Sequence, residues 1–477
     1  MGQEVETSHF TKNDFVKFKE NLDRETSLVE KLFSEGGFSS EHGVGGFELE
    51  AWVVDASGNP APINDRYLKA LNDPMVDSEL AMFNIELNTS PYRLKGDALG
   101  RMQAELEETW RKCREKAREF NADITAIGIL PTVRNDDLVP ENMSNMKRYR
   151  ALNDQVMRQR KGSPCIIDIH GREDLCIGQM DVMLEAATTA FQIQFQVDFN
   201  KSVRFYNAAV VATAPIVAAS ANSPYMFGRD LWDETRIPVF EQSLAEIGDL
   251  DSTEATHGRV TLGFDYARES LVEFLQRNRD EFRVMLPMVY DEAPELLCHA
   301  RLHNGTVWRW NRPLIGFDEY GKPHLRIEHR AIPAGPSIVD TIANAAFFYG
   351  LIQAIGSEKT PPEENLPFGK ARDNFYTAAK NGLNANLYWL DGKPHPVTVI
   401  ILEELLPLAR RGLHEFGVIG KDIERYLRII EERVRSGQNG AAWQRAFTAK
   451  HGRDEKRLCM KYMERQNSGL PVHEWTV

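Results

Sequence analysis

Four short segments alternate apolar and polar residues with a period of two, the spacing of a half-buried strand. In residues 46–54, Phe47, Leu49, Ala51 and Val53 point one way, and Glu48, Glu50 and Trp52 the other. Residues 81–90 set Phe83, Ile85 and Leu87 against Asn84, Glu86 and Asn88. Residues 190–198 set Phe191, Ile193, Phe195 and Val197 against Gln192, Gln194, Gln196 and Asp198. Residues 325–330 set Leu325 and Ile327 against Arg326, Glu328 and Arg330. One apolar and one polar face is the signature of antiparallel sheets. Glu105-Leu-Glu107 serves as a control: it has the spelling of Glu48-Leu-Glu50 but lies in a helical pattern, where residues two apart do not face each other.

The rest of the chain reads mostly as helix. Residues 14–35 predict an amphipathic helix stopped by Gly36 and Gly37. Residues 97–120 carry Leu99, Met102, Leu106, Trp110, Cys113, Ala117 and Phe120 at helical spacing, a core-packing stripe. Residues 202–219 are alanine- and valine-rich and predict a buried helix. Ser337 and Asp340 form a capping box ahead of an apolar run over residues 342–352. The proline-rich stretch 360–367 predicts a linker, and residues 422–434 a helix beyond it. This divides the chain into a main body, 1–356, and a mostly helical region, 357–477, packed on it.

A single Glu-x-Glu is as well explained by a solvated strand. Here, however, the four polar faces together carry Glu, Gln and Arg rather than the Lys, Thr and Ser of an ordinary wet face. Paired carboxylates on a strand with an apolar back need a counter-charge if buried. Magnesium, which prefers hard oxygen ligands, is the natural one.

Composition narrows the class. The chain has 477 residues, enough for a large core, and a net charge of −13, which argues against nucleic acid as a partner. Its five cysteines are scattered without a CxxC and predict reduced thiols in a cytoplasmic setting. Residues 1–6 show no leader-like apolar run, Glu6 spoils a myristoylation reading of Gly2, and no stretch reads as a membrane span.

Six segments in consistent order resemble the glutamate–cysteine ligases, within the glutamine-synthetase-like carboxylate–amine ligases. They are Glu48-Leu-Glu50; residues 85–91, ending in Pro91; residues 126–131 followed by Arg148-Tyr149; residues 188–199; residues 219–224 with Gly228, Arg229 and Arg236; and Arg326-Ile-Glu328-His-Arg330. The third and fourth look most like the plant and proteobacterial branch. The resemblance implies an α+β fold: a mainly antiparallel curved sheet with a polar concave face, flanked by helices.

It also implies an ATP-dependent carbon–nitrogen ligase of glutathione biosynthesis. Such an enzyme joins a small amino-acid carboxylate such as glutamate to an amine such as cysteine through a γ-glutamyl phosphate, and releases ADP and phosphate. Carried over residue by residue, Glu50, Glu86 and Glu79 would hold one magnesium, with Asp77 the alternative to Glu79. Glu48 and Glu328, with Gln194, would meet a second near the ATP phosphates. Arg330 would contact the transferring phosphoryl group, and Arg236 would clamp the substrate carboxylate. Arg148 and Arg229 are further nucleotide contacts, each competing with a plain surface ion pair. Many relatives carry His at Gln194; Gln is neutral and fits nucleotide placement rather than proton transfer. No residue marks a thiol pocket. A different acid or amine on the same scaffold, and a non-catalytic nucleotide- or metal-binding regulator, are the alternatives; the intact carboxylates weigh against the second.

Overall fold

The strand that carries Glu48 and Glu50 is the spine of the molecule. In the computed structural model, which describes Val5 and residues 7–245 and 258–477, it runs over Val44–Asp55 as β1. The N-terminal segment read for a leader lies, apart from Val5, outside the described residues. Seven further strands join β1 in one sheet: β2 (Val76–Ser78), β3 (Asn84–Asn88), β4 (Tyr92–Arg93), β5 (Ala122–Thr125), β6 (Ala190–Val197), β7 (Asn311–Phe317) and β8 (Pro323–Pro333). The order is β7-β8-β6-β1-β3-β2, with β4 and β5 also paired to β1, and every pairing is antiparallel. The sheet curls into a half-barrel with helices on its outer side.

Register places the polar positions in one band. Glu50 pairs with Glu86, Glu48 with Gln192, Gln194 with Glu328, and Glu328 with Arg312. The second predicted strand is shorter than its alternation. Ala81 bridges to Met143, and only residues from Asn84 onward join the ladder. Trp52 shares the period of Glu48 and Glu50, yet it is fully buried, stacked on Phe83, with its indole N–H on the Ile127 carbonyl at 3.3 Å.

The apolar face is closed by Ser202–Ser220 and Ile338–Gly356. Tyr349 of the second helix donates its hydroxyl to the Gly46 carbonyl at 3.0 Å, locking helix to spine. The sequence reading found no stretch of membrane-span length, and this needs correction. Phe199–Ser220 and Ile338–Gly356 are long and apolar enough, but 89% of each apolar window is buried inside the protein. They are all-round hydrophobic because they are enclosed on all sides. The capping box reads through: Ser337 caps its helix, its hydroxyl 2.7 Å from Asp340.

The stretch 360–367 is no free tether. Tyr266 holds the Leu366 carbonyl at 2.8 Å and Asn207 holds Glu363 at 2.8 Å. Beyond it, Leu406–Phe416 and Gly420–Ser436 lie against Ile338–Gly356. Buried Arg433 reaches back to Asp340 at 2.8 Å and Asn344 at 2.7 Å. The apolar core is continuous across both regions.

The tightest helix contact is made by glycines. A Cβ on Gly412 would stand 2.0 Å from the Gly350 carbonyl oxygen, and one on Gly350 would stand 2.3 Å from that of Ala409. Both obstacles are backbone, so neither can move aside alone. Gly412→Ala is expected to destabilise the fold by about 1–3 kcal/mol, the range for overpacking. A lower midpoint in urea unfolding checks this; an unchanged midpoint would show that the two helices can separate freely.

Candidate active site

The polar face of the sheet floors a cleft of about 450 Å³. Strands supply its charged groups: Glu48 and Glu50 from β1, Gln194 from β6, Arg312 from β7, and Arg326, Glu328 and Arg330 from β8. Its walls come from the helices Lys147–Gln159 and Cys298–Gly305 and from the turn Glu185–Ala187. A register shift between His329 and Ile332 interrupts the β8–β6 ladder beside Arg330, the kind of irregularity that re-aims a side chain.

The hydrogen bonds run diagonally between strands. Gln194 donates to Glu48 at 2.6 Å, and Gln192 donates to Glu50 at 2.6 Å. The Ala190 amide adds a bond to Glu50 at 2.7 Å. Arg312 and Arg330 both grip one oxygen of Glu328, at 2.8 and 3.1 Å, and Arg330 also contacts the Gln192 carbonyl. The neutral amides therefore orient the carboxylates without cancelling their charge.

Charge sorts the acids of the cleft. Burial works against ionisation of Glu328, but Arg312 and Arg330 outweigh it and hold this carboxyl below its usual range. The other acids are shifted the opposite way. Burial pushes Glu48 up, and Glu328 beside it adds repulsion. Burial and Glu79 push Glu50 up to about 8. Burial, then Glu48 and Glu79, raise Glu86 well above the carboxylate range. Burial, then Glu79 and Glu50, do the same to Glu185. One end of the cleft thus gathers carboxyl groups whose ionisation burial and mutual repulsion resist. Arg312 and Arg326 act on the Glu48 and Glu328 side, Arg301 also lines the cleft, and Arg330 acts on Glu328 and Glu50 alike.

The acidic end fits a divalent cation. Among the described residues, Glu48 Oε2 and Glu79 Oε1 are buried with no hydrogen-bond partner. Among the described residues no three acidic, His or Cys side chains form a ready cage. Magnesium suits such a site, because it is commonly held by one or two carboxylates and completes its shell with water and phosphate oxygens.

The structure sorts the residues singled out by sequence. Glu48, Glu50, Glu79, Arg148, Gln194, Glu328 and Arg330 line the cleft. Glu86 is fully buried opposite Glu50, on the same face of the sheet, without lining the cleft itself. Asp77 pairs with Glu86 in the ladder but stays exposed, bonded to Asn88, whereas Glu79 reaches the cleft. Arg236 does not line the cleft. It is buried beneath it, paired to Glu234 at 3.0 Å and bonded to the Ala331 carbonyl at 2.6 Å, close enough to Glu50 to lower that group's pKa. Arg229 also lies outside, exposed on a small hairpin beside Glu173.

Sequence reasoning missed Arg312, Arg301 and Glu185. The strand bearing Arg312 contains Pro313 and shows no alternation, and Glu185 sits on a turn with no period at all. The one available signal for Arg312 was its position within a short antiparallel hairpin with Glu328.

Comparison with known proteins places this geometry. The model of glutamate–cysteine ligase family 2 matches residues 44–461. Among solved structures, a glutamate–cysteine ligase from Francisella tularensis in complex with AMP superposes with a TM-score of 0.56 at 13% identity, over 92% of this chain and 90% of that one. A bifunctional glutathione synthetase from Pasteurella multocida, also 13% identical, gives a TM-score of 0.48 over 93% of this chain and 55% of that one. No curated protein sequence matches the chain. The curled, mainly antiparallel sheet flanked by helices is the α+β arrangement that the family resemblance implied. With the match running from the first sheet strand into the last long helix, the chain belongs to glutamate–cysteine ligase family 2, and it is a ligase.

Proposed function

We propose that this chain is an ATP-dependent carboxylate–amine ligase that activates an acid as its acyl phosphate and releases ADP and phosphate. The acid is glutamate and the amine cysteine. The observation that supports this reading is one cleft that brings arginines and a group of crowded carboxyls together, most of them mounted on rigid strands. A carboxylate is a poor electrophile because its oxygen leaves badly. Phosphorylation supplies a leaving group, but it requires bringing a polyanion against another anion. The fixed arginines and a cation held by the acids meet that requirement.

The roles follow from position. Arg330 reaches the transferring phosphoryl group, and its fork suits two phosphate oxygens. Arg301 and Arg326 take the more distant phosphates at the cleft mouth. Glu48, Glu328 and Gln194 face the phosphate side, while Glu50, Glu79 and Glu86 face the acid. Magnesium bound by these acids would neutralise charge shared between phosphate and carboxylate. Arg148 and Tyr149 close one wall. Arg236 supports Glu50 electrostatically from below, and Arg229 is left as a surface group.

Trapping by hydroxylamine tests the chemistry. Glutamate, ATP and magnesium are expected to give a hydroxamate and ADP with cysteine absent. Arg330→Lys should lower that rate about 100-fold or more, because a point charge replaces a two-pronged contact. AMP and pyrophosphate in place of ADP would indicate adenylation and refute the proposal.

A second test needs no turnover. Glu50 has a folded-state pKa of about 8, against about 4.3 for an unperturbed glutamate. Between these values the folded chain holds a proton that the unfolded chain has released, so Glu50 makes stability fall as pH rises from about 4 to 8. Glu50→Gln should flatten that fall in Tm. Magnesium should raise Tm, and more at pH 8 than at pH 5, because its ligands must be ionised. At a hundredfold excess over its dissociation constant the gain is about 2.7 kcal/mol. A magnesium effect independent of pH would place the cation elsewhere.

A further inference from the structure

The N-terminal helix takes no part in the assignments above. It runs over Lys12–Ser34, ahead of β1, and none of its residues lines the cleft. Yet it buries a carboxylate, Glu25, against a helix that does line it. That helix, Cys298–Gly305, brings Arg301 and Leu302 to the cleft. Its own flank supplies no side-chain cap: Leu297 is apolar and sits at φ 55°, in the left-handed region. An unpaired amide in a first helical turn needs an acceptor from elsewhere. Glu25 provides one from 275 residues away, its Oε2 accepting the Ala300 amide at 2.8 Å. Its Oε1 meets His299 Nδ1 at 2.6 Å.

The surrounding bonds assign the proton on His299. Its Nε2 lies 3.2 Å from the Tyr290 amide and 3.2 Å from Asn21 Nδ2. A main-chain amide only donates, so Nε2 accepts and Nδ1 carries the proton. Asn21 Oδ1 is taken by Arg24 at 2.9 Å, which turns the amide group of Asn21 toward the ring. Both Glu25 oxygens therefore face donors. The far end of the helix is tied to β7: Arg312 holds the Gly305 carbonyl at 3.1 Å, and Asn304 holds the Pro313 carbonyl at 2.9 Å. An anion at the first turn and a guanidinium at the last both complement the helix dipole. Arg301 follows the amide that Glu25 holds, and its guanidinium stands over Phe317 of β7, 5.4 Å from the ring centre. Its direction depends on where the first turn lies against that strand.

Resting on the ligase reading, in which Arg301 meets the ATP phosphates, we infer that Glu25 is a positioning residue for nucleotide binding: through the Ala300 amide and His299 it sets the first turn of the cleft helix, and with it the direction of Arg301. The N-terminal helix is then part of the nucleotide site without touching nucleotide. A carboxylate is needed for this. A glutamine can turn its oxygen to the Ala300 amide or to His299 Nδ1, and its amino group then faces the other donor.

Calorimetric binding of magnesium–ATP tests the role without turnover. Glu25→Gln is expected to raise Kd about tenfold, the loss of roughly one charge-assisted hydrogen bond. Arg301→Gln should raise it at least as much, and the double variant no further than Arg301→Gln alone, because both changes remove the same contact. Losses that multiply in the double variant would show Glu25 acting on the fold at large and overturn the inference. So would an unchanged Kd in Glu25→Gln with only Tm lowered, or an unchanged Kd in Arg301→Gln. Glu25→Asp keeps the charge but, one methylene shorter, cannot span both donors. It enters the same cycle if Glu25→Gln does not fold, with a rise in Kd of about threefold expected and an unchanged Kd overturning the inference. Hydroxamate formation by the unmodified protein keeps the two readings apart: hydroxamate with multiplying losses removes the positioning role alone, whereas coupled losses without hydroxamate remove the ligase reading alone.

Discussion

The structure depends on burying several carboxylates close together on one face of a sheet. Glu48, Glu50 and Glu86 are each less than a tenth exposed, and beside them Arg312 and Arg330 both bond Glu328. Isolated buried anions shift toward their neutral form or draw in a counter-ion. Holding them in place needs a scaffold that cannot relax around the charge. The antiparallel ladder supplies this on the polar face, and two enclosed apolar helices supply it on the other. The C-terminal helices matter because they brace Ile338–Gly356, through the glycine contact and through Arg433. The distant tail is thus mechanically part of the floor.

Glutamine is the hinge of this arrangement. Gln192 donates to Glu50 and accepts from Arg330, so it joins β8, β6 and β1 in one network. A histidine there could change protonation and loosen the orientation, whereas an amide keeps one donor and one acceptor at every pH. Gln194 does the same for Glu48. The site therefore separates two tasks: neutral side chains fix geometry, and charged ones supply the field.

The strands and the acidic face were legible in the sequence because they rest on a period of two that burial enforces. Alternation found β1, β3, β6 and β8 and the side of the sheet on which Glu48, Glu50, Glu86 and Glu328 lie. It failed where the chain leaves that period. Glu79 follows the last residue of β2, so its side chain turns into the cleft while in-register Asp77 stays outside. Arg312 was hidden by Pro313, and Glu185 by a three-residue turn. Arg236 was misleading for the opposite reason: its motif is real, but the guanidinium points into the core toward Glu234, a partner that only the fold brings to it.

The arginines and the acids of the cleft also differ in how their charge is carried. The arginines are covalent parts of the floor and stay charged near neutrality. The acids are different: burial and mutual repulsion push Glu50 up to about 8 and shift Glu86 and Glu185 the same way, so their ionisation is resisted. A cation arriving there must displace protons, and the acids then become ligands in the same event. Repulsion that disfavours the empty, ionised site becomes attraction for the cation that fills it. The sheet thus keeps a charge pattern complementary to a metal-bearing polyanion without bearing the full energetic burden of that pattern while it waits.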